Sequence, residues 1–400
     1  MRIRPSIEAS LLVFVAVLGL AACVSMSHGM PGTKTDFQRP IFYQNMLDKS
    51  LDTFLGEVVP FNPDYVARAY LRWDGTGSNS FNPSLLRSYV AALKNRVPSA
   101  VVGYCQSGGF VASDFTWPDG HQISQAEMDS WLLRGPNGET VPSGYIGYIA
   151  DIRIGGFQQY LLTWARALLD AGADVIDYDL PYFAAYTLIT KWGYDRTTIM
   201  SAYDSAWTVM YDQTKQMGAK YVAIHNGERY VVMQVGDLHP MGDFAYVTVN
   251  TDDVKGFTFG SSSEWAQVKS WGEARQMQVI PMFDYGFTSK MGLPVFASYS
   301  TADQIKYLSV LHDESAAVGL KFLYPVHGGA LGSGAGNYDS VQYGTYATMV
   351  SLVTGAPSTA TSTSAAPTPG RRIPASGVGA IVAGLVVGLA IIAVRRRAHR

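Results

Sequence analysis

The stretch Asp170-Ala-Gly-Ala-Asp-Val-Ile-Asp-Tyr-Asp-Leu-Pro-Tyr182 decides the fold. A helix ends at its glycine turn, and a short strand then carries carboxylates to its C-terminal tip. Side chains alternate faces along a strand, so Val175, Asp177 and Asp179 point one way while Ile176 and Tyr178 point the other. Two acids on the inner face of a buried strand are costly unless they have a partner or a task. At the C-terminal end of a parallel strand that task is usually chemistry.

Outward from this strand the chain alternates strand and helix. Upstream, Asp64 to Trp73 and Ser99 to Gln106 read as strands one and two, separated by a helix over Asn82 to Arg96. A polar excursion with a short helix near Ser124 to Leu133 follows, and Tyr145 to Arg153 reads as strand three. Phe157 to Leu169 is an amphipathic helix, with Phe157, Tyr160, Leu161, Trp164 and Leu168 at helical spacing. The opening strand is then the fourth. Downstream, Lys220 to His225, Asp243 to Asn250, Gln278 to Tyr285 and Leu320 to His327 read as strands five to eight. Helices over Thr197 to Gln216, Ser263 to Gln276, Thr301 to Val318 and Tyr343 to Val353 accompany them. Tyr230 to Gly236 is an extra short strand or loop.

This alternation predicts an α/β fold with a parallel sheet. Eight units over 31–355, with no glycine-rich phosphate loop after the first strand, favour a (β/α)8 TIM barrel over a doubly wound sheet.

The ends of the chain suggest where it works. Residues 1–30 read as a signal peptide: Arg2 and Arg4 precede an apolar run, Leu11 to Ala22, that is short for a membrane span. Leu20-Ala-Ala-Cys23 fits ordinary cleavage and equally a lipoprotein signal at Cys23. Residues 356–375 form a Ser/Thr/Pro-rich stalk. Residues 376–394 are uncharged and long enough to cross a bilayer, and 395–400, with Arg395, Arg396, Arg397 and Arg400, make a basic cytoplasmic tail. The expected arrangement is a cell-membrane protein with a single C-terminal transmembrane helix and an extracytoplasmic barrel. Gly384 and Gly388 could pack a helix dimer, although glycine is common in any membrane helix.

Only two cysteines occur, Cys23 and Cys105, so no disulfide framework is implied. A net charge of −2 with scattered signs argues against nucleic acid as a partner.

Function is read from the strand ends. In a barrel the reaction sits at the C-terminal rim. Those positions are Trp73 and Asp74, Gln106 with Tyr104 behind it, Asp151 and Arg153, Asp177 and Asp179, and His225, Asn226 and Glu228. They continue with Asn250, Asp252 and Asp253, then Asp284 and Tyr285, then His327. The opposite ends are small or apolar, as at Ala100, Val175 and Val279. Loops are polar in any protein, and Asp74, Asp252 and Asp253 sit beside turn residues where they could simply cap helices.

A rim of carboxylates and aromatics without a cysteine–histidine cluster points to glycoside cleavage. One carboxylic acid protonates the leaving oxygen, and a second carboxylate attacks the anomeric carbon or activates water. Trp73, Phe110, Trp117, Tyr182, Phe183, Tyr230, Tyr285 and Phe287 lie on the same loops as candidate sugar platforms, among them some that serve only as core.

The run Ala150-Asp-Ile-Arg153, a helix, and then Asp170 to Asp179 resembles the third and fourth strands of TIM-barrel glycoside hydrolases. The placement of acids at strands four to seven is similar to α-amylase and melibiase-type barrels. That resemblance implies a nucleophilic carboxylate at the end of strand four. Asp174-x-x-Asp177-x-Asp179 also resembles part of the chitinase motif D-x-x-D-x-D-x-E, but Pro181 stands where that motif needs its Glu, so chitinase chemistry is not implied.

The catalytic candidates are therefore Asp179 as nucleophile or stabilising carboxylate, Asp177 behind it, and Glu228 or Asp284 as general acid, with Asp252 next. Two acids so close should push their pKa values apart, leaving one protonated. Trp73, Tyr104, Gln106, Asp151, Arg153, His225, Asn226, Asn250, Asp252, Tyr285 and His327 are the candidate carbohydrate contacts. No cofactor is implied. His225, His239 and His327 lack metal-ligand spacing, and there is no Gly-x-Ser-x-Gly elbow. The rival reading is a non-catalytic surface protein that binds carbohydrate on the same barrel.

Overall fold

The computed structural model describes residues 35–43, 46–72, 81–143, 147–225, 241–248, 262–282, 299–321, 323–324, 341 and 343–355. The expected signal peptide, stalk, transmembrane helix and tail lie outside these residues, as does the extra strand at 230–236. Among the described residues no helix is long and apolar enough to cross a membrane.

In chain order the elements are β1 (Ile41–Tyr43), α1 (Leu51–Val58), β2 (Tyr65–Arg72), α2 (Pro83–Arg96), β3 (Val101–Ser107), β4 (Phe110–Val111), α3 (Gln125–Trp131), β5 (Tyr148–Ile149), α4 (Gly155–Asp170) and β6 (Val175–Asp179). They continue with α5 (Phe183–Trp192), α6 (Arg196–Gln216), β7 (Tyr221–His225), β8 (Met241–Gly242), β9 (Phe244–Thr248), α7 (Ser262–Ala274), β10 (Gln278–Met282), α8 (Thr301–Ala317), β11 (Leu323–Tyr324) and α9 (Tyr346–Thr354). The helices start on side-chain caps where the sequence supplies them. Asn82, Ser124, Asp195 and Ser300 each accept a backbone N–H of the first turn, and Ser124 with Glu127 forms a full capping box.

One sheet runs β11–β1–β2–β3–β6–β7–β8, and β9 pairs with β10. All these pairings are parallel except β7 with the two-residue β8. The β9–β10 pair fills the space between β7 and β11, against which it packs. Among the described residues, eight parallel strands thus follow one another round a curled, TIM-barrel-like sheet with helices outside.

Two expectations about the strands are corrected. Ile41–Tyr43 is the first barrel strand, which the sequence reading did not include. Conversely, the expected strand over Tyr145 to Arg153 is not a barrel strand: among its described residues, 147–153, the strand is Tyr148–Ile149, and it pairs antiparallel with Phe110–Val111. Further antiparallel bridges, among them Arg134 with Thr140 and Leu132 with Ala150, tie the whole excursion after β3 into a small unit of its own. One strand gained and one lost leave β6 fourth of eight.

The inward residues of the eight strands form a compact apolar cluster, including Ile41, Tyr65, Val101, Val175, Ala223, Phe244, Ile280 and Leu323. Phe37 closes it from below, stacked on Tyr65 at 5.0 Å and set edge-on to Phe244 at 5.7 Å. The Gln278 side chain holds Phe37 in place, accepting from its N–H at 2.9 Å and donating to its carbonyl at 3.1 Å. A larger cluster fills the layer between strands and helices. Asp174, at the entry to β6, is structural: it accepts from the Val102 N–H at 2.9 Å and pairs with Lys94 at 2.7 Å.

Candidate active site

The alternation along β6 holds. Val175 belongs to the barrel's interior cluster, and Asp177 and Asp179 follow on the same face, both buried. Register sets their neighbours: Asp177 lies between Cys105 of β3 and Ala223 of β7, and Asp179 between Ser107 and His225.

Their countercharge is Arg68, which the sequence reading did not single out. The register of β2 against β3 slips between Val66 and Tyr70, so that four steps on β2 oppose two on β3, from Val102 to Tyr104. Arg68 sits in this bulge at φ 50°, a left-handed conformation rare for a residue with a Cβ. The bulge turns its side chain into the barrel. There Nε lies 3.2 Å from Asp177 Oδ2 and Nη2 lies 3.2 Å from Asp179 Oδ1, with the guanidinium almost wholly buried. A cation in contact with both carboxylates offsets the mutual repulsion expected of two acids on one strand face.

Beneath the ion pairs, the Tyr65 and Tyr246 hydroxyls share a 2.8 Å hydrogen bond. Burial first, and then Asp177, pushes the Tyr65 hydroxyl well up; burial, Tyr65 and Asp177 do the same to Tyr246. The Cys105 thiol is also pushed well up by burial, against the opposing pull of Arg68. These three groups are therefore neutral, and the ion-pairing groups of this interior set are Arg68, Asp177 and Asp179. Gly103 completes it, since a Cβ there would stand 2.3 Å from the Tyr65 hydroxyl.

The turn after Asp179 is equally constrained. Leu180 has φ 55°, and its N–H donates to Asp179 Oδ1 at 3.1 Å. The Gly108 N–H donates to the Asp179 carbonyl at 2.7 Å. The Leu180 carbonyl passes so close to Gly109 that a Cβ there would meet it at 2.4 Å. Trp207 Nε1 donates to the Pro181 carbonyl at 3.0 Å. The glycine pair at the end of β3 was the available sequence signal for this close backbone approach.

Other expected contacts are placed elsewhere. Tyr104 and Gln106 face out of the barrel, because the inward partner of Asp177 is Cys105 and its neighbours alternate away. Tyr104 Oη donates to the Ala171 carbonyl at 3.3 Å, and Gln106 Nε2 to the Leu161 carbonyl at 3.1 Å. Asp151 and Arg153 do not end a barrel strand. They pair with each other at 2.6 Å just before α4, and the Arg153 guanidinium lies 4.8 Å over the Tyr203 ring of α6. This pair is turned toward the outer helices.

Among the expected platforms, Phe110 is buried edge-on against Phe183. Tyr182 is buried with its hydroxyl on Asp204, and Trp117 stacks on His121. His225 ends β7 in register with Asp179. Glu228 and Asp284 lie outside the described residues, and so do Trp73, Asn226, Asn250, Asp252, Tyr285 and His327. Among the described residues no group of three or more His, Cys, Asp or Glu is arranged to hold a metal ion.

No protein-family model and no curated protein matches the chain. Its backbone is similar to solved structures that include a β-1,4-mannanase of family GH113, at 8% identity and TM-score 0.46 over 80% of this chain and 99% of the other. An α-galactosidase from Thermus thermophilus is similar at 15% identity and TM-score 0.45, over 74% of this chain and 59% of the other. Cyclic α-maltosyl-(1→6)-maltose hydrolase from Arthrobacter globiformis is similar at 13% identity and TM-score 0.42, over 71% and 72%.

Proposed function

We propose that the chain is a glycoside hydrolase that works at the cell surface on an oligo- or polysaccharide, with Asp179 as its nucleophilic or charge-stabilising carboxylate. The observation that carries this reading is the buried Arg68–Asp177–Asp179 set at the C-terminal end of the fourth barrel strand. Buried acids in a barrel are expected at this mouth when they serve chemistry, and the neighbouring tier below them is apolar. Glycoside cleavage also needs a proton donor. Glu228, Asp252 and Asp284, which follow β7, β9 and β10 in sequence, are the proposed candidates. A separation from Asp179 of roughly 5–5.5 Å would make the enzyme retaining, and roughly 6.5–9.5 Å inverting.

In this reading the oxocarbenium-like charge develops beside Asp179. Its carboxylate is fixed on one side by the Leu180 N–H and Arg68, so it needs no reorganisation as the charge forms. We further propose that 1–30 direct export and that 376–394 anchor the barrel outside the membrane.

The test is a screen of the purified chain against 4-nitrophenyl glycosides and plant and microbial polysaccharides. The unaltered chain should release sugar from at least one. Asp179→Asn should lower kcat by about 10³-fold or more while keeping the fold and sugar binding. Sugar binding without release by either version would replace the enzyme with the carbohydrate-binding reading. Undiminished turnover in Asp179→Asn would remove Asp179 from the chemistry.

A further inference from the structure

We infer that Arg68 is a positioning residue for this site: it holds Asp179 as an aimed carboxylate anion, which leaves proton donation to an acid on another strand. The catalytic part of this inference rests on the glycosidase reading above; the electrostatic part does not.

Three observations converge on it. The backbone at Arg68 is held at φ 50°, and such conformations cost on the order of 1–3 kcal/mol and persist only where surrounding structure demands them. The bulge that imposes this φ is what turns the side chain inward; regular alternation from Tyr65 would point it at the helices. Once inside, the planar fork spans two carboxylates at 3.2 Å each, with one nitrogen for each acid. A filler of the barrel would need neither the strain nor the charge, as the uncharged tier immediately below, with Tyr65, Val175, Ala223 and Tyr246, demonstrates.

The consequence is a division of labour. A guanidinium does not give up its proton in this setting, so a carboxylate tied to it is a poor proton donor and a stable anion. Asp179 therefore suits attack on, or electrostatic support of, the anomeric carbon. The titratable groups around the pair are Tyr65 on β2, Cys105 on β3, Tyr246 on β9 and His225 in register on β7. Burial holds the first three neutral, and since Arg68 pulls each of them down, its removal pushes them further up and leaves them neutral.

The full chain, Arg68→Met and Arg68→Lys should be compared on the 4-nitrophenyl glycoside that the unaltered chain cleaves fastest. Arg68→Met should lose about 10²–10³-fold in kcat with KM within about threefold, and the acidic limb of kcat/KM should move to higher pH. Arg68→Lys should recover at least about tenfold of kcat, with the acidic limb back near its original place. An Arg68→Met variant within about threefold of the original kcat, or with an unmoved acidic limb, overturns the inference. If Arg68→Met does not fold, Arg68→Lys decides alone: a kcat loss with an unmoved limb supports the inference, and no loss overturns it.

Urea unfolding at about pH 5 and about pH 8 supplies an arm that needs no turnover. Without its cation the buried acid pair should take up protons, so the stability lost in Arg68→Met should be larger at the higher pH. Equal losses at both would refute the electrostatic role. A chain that cleaves no glycoside would sink the glycosidase reading and leave this arm to judge Arg68.

Discussion

Strand β2 carries two buried arginines four residues apart, and they lead opposite lives. Arg68 enters the barrel and meets two carboxylates. Arg72 faces the helices, hydrogen-bonds the Tyr160 hydroxyl, and lies over the rings of Trp164 at 4.2 Å, Tyr160 at 4.9 Å and Phe115 at 5.2 Å. Among the described residues no carboxylate pairs with it. Aromatic faces attract a cation, but less than a carboxylate at contact does. Burial accordingly pushes the Arg72 guanidinium down to about 9. The contrast teaches that burial alone does not give a charge a use. A countercharge set against it, as Asp177 and Asp179 are against Arg68, does.

The contrast can be broken most directly at Arg68. Arg68→Met leaves two buried carboxylates without their cation and should cost about 3–5 kcal/mol at neutral pH, read from urea unfolding. A cost below about 1 kcal/mol would show that the pair needs no countercharge.

Next in size is the floor beneath the pair. Gly103→Ala forces a methyl toward Tyr65 and should cost about 1–3 kcal/mol. Part of that loss should return in the double variant with Tyr65→Phe, and strictly additive losses would mean that the two residues do not meet.

The smallest effect is expected at Arg72. Among the described residues Arg72 has no carboxylate partner, so an apolar side chain of similar length removes its desolvation penalty together with its hydroxyl and ring contacts, and Arg72→Met should stay within about 1 kcal/mol of the original. Its signature is alkaline. The folded-state value of about 9 lies below the ordinary 12.5, so the unfolded chain binds more protons between them and this group's contribution to stability rises with pH. Below about 9 that contribution is constant. The original chain should therefore gain on Arg72→Met when unfolding is compared at about pH 8 and about pH 10; a constant difference would contradict the burial penalty.

Strands β6 and β2 together show how far sequence reading reaches. Alternation along Val175 to Asp179 is a two-residue period with acids on one face, and it identified the inward side chains correctly. Applied to β2, the identical rule turns Tyr65, Ala67 and Ala69 inward and Arg68 outward, and it fails because the bulge adds residues that no local pattern announces. Along β3 the run Val101 to Cys105 is nearly all apolar and shows no parity, so only the register against β6 turns Tyr104 and Gln106 away from the barrel interior. Ile41–Tyr43 is too short to show a period. Tyr145 to Arg153 has strand-like residues but turns at Gly147, whose φ is 59°, and pairs within its own excursion.

By itself the sequence determined the alternation of strands and helices and the inward pair Asp177 and Asp179. These follow from backbone periodicity, which is a property of neighbouring residues. Only the tertiary structure decided what faces that pair. Arg68 and Asp177 are 109 residues apart, brought together by the register of three adjacent strands and by one left-handed residue in a bulge. Charge pairing acts through space, so the countercharge became visible only when the sheet had curled round to present it.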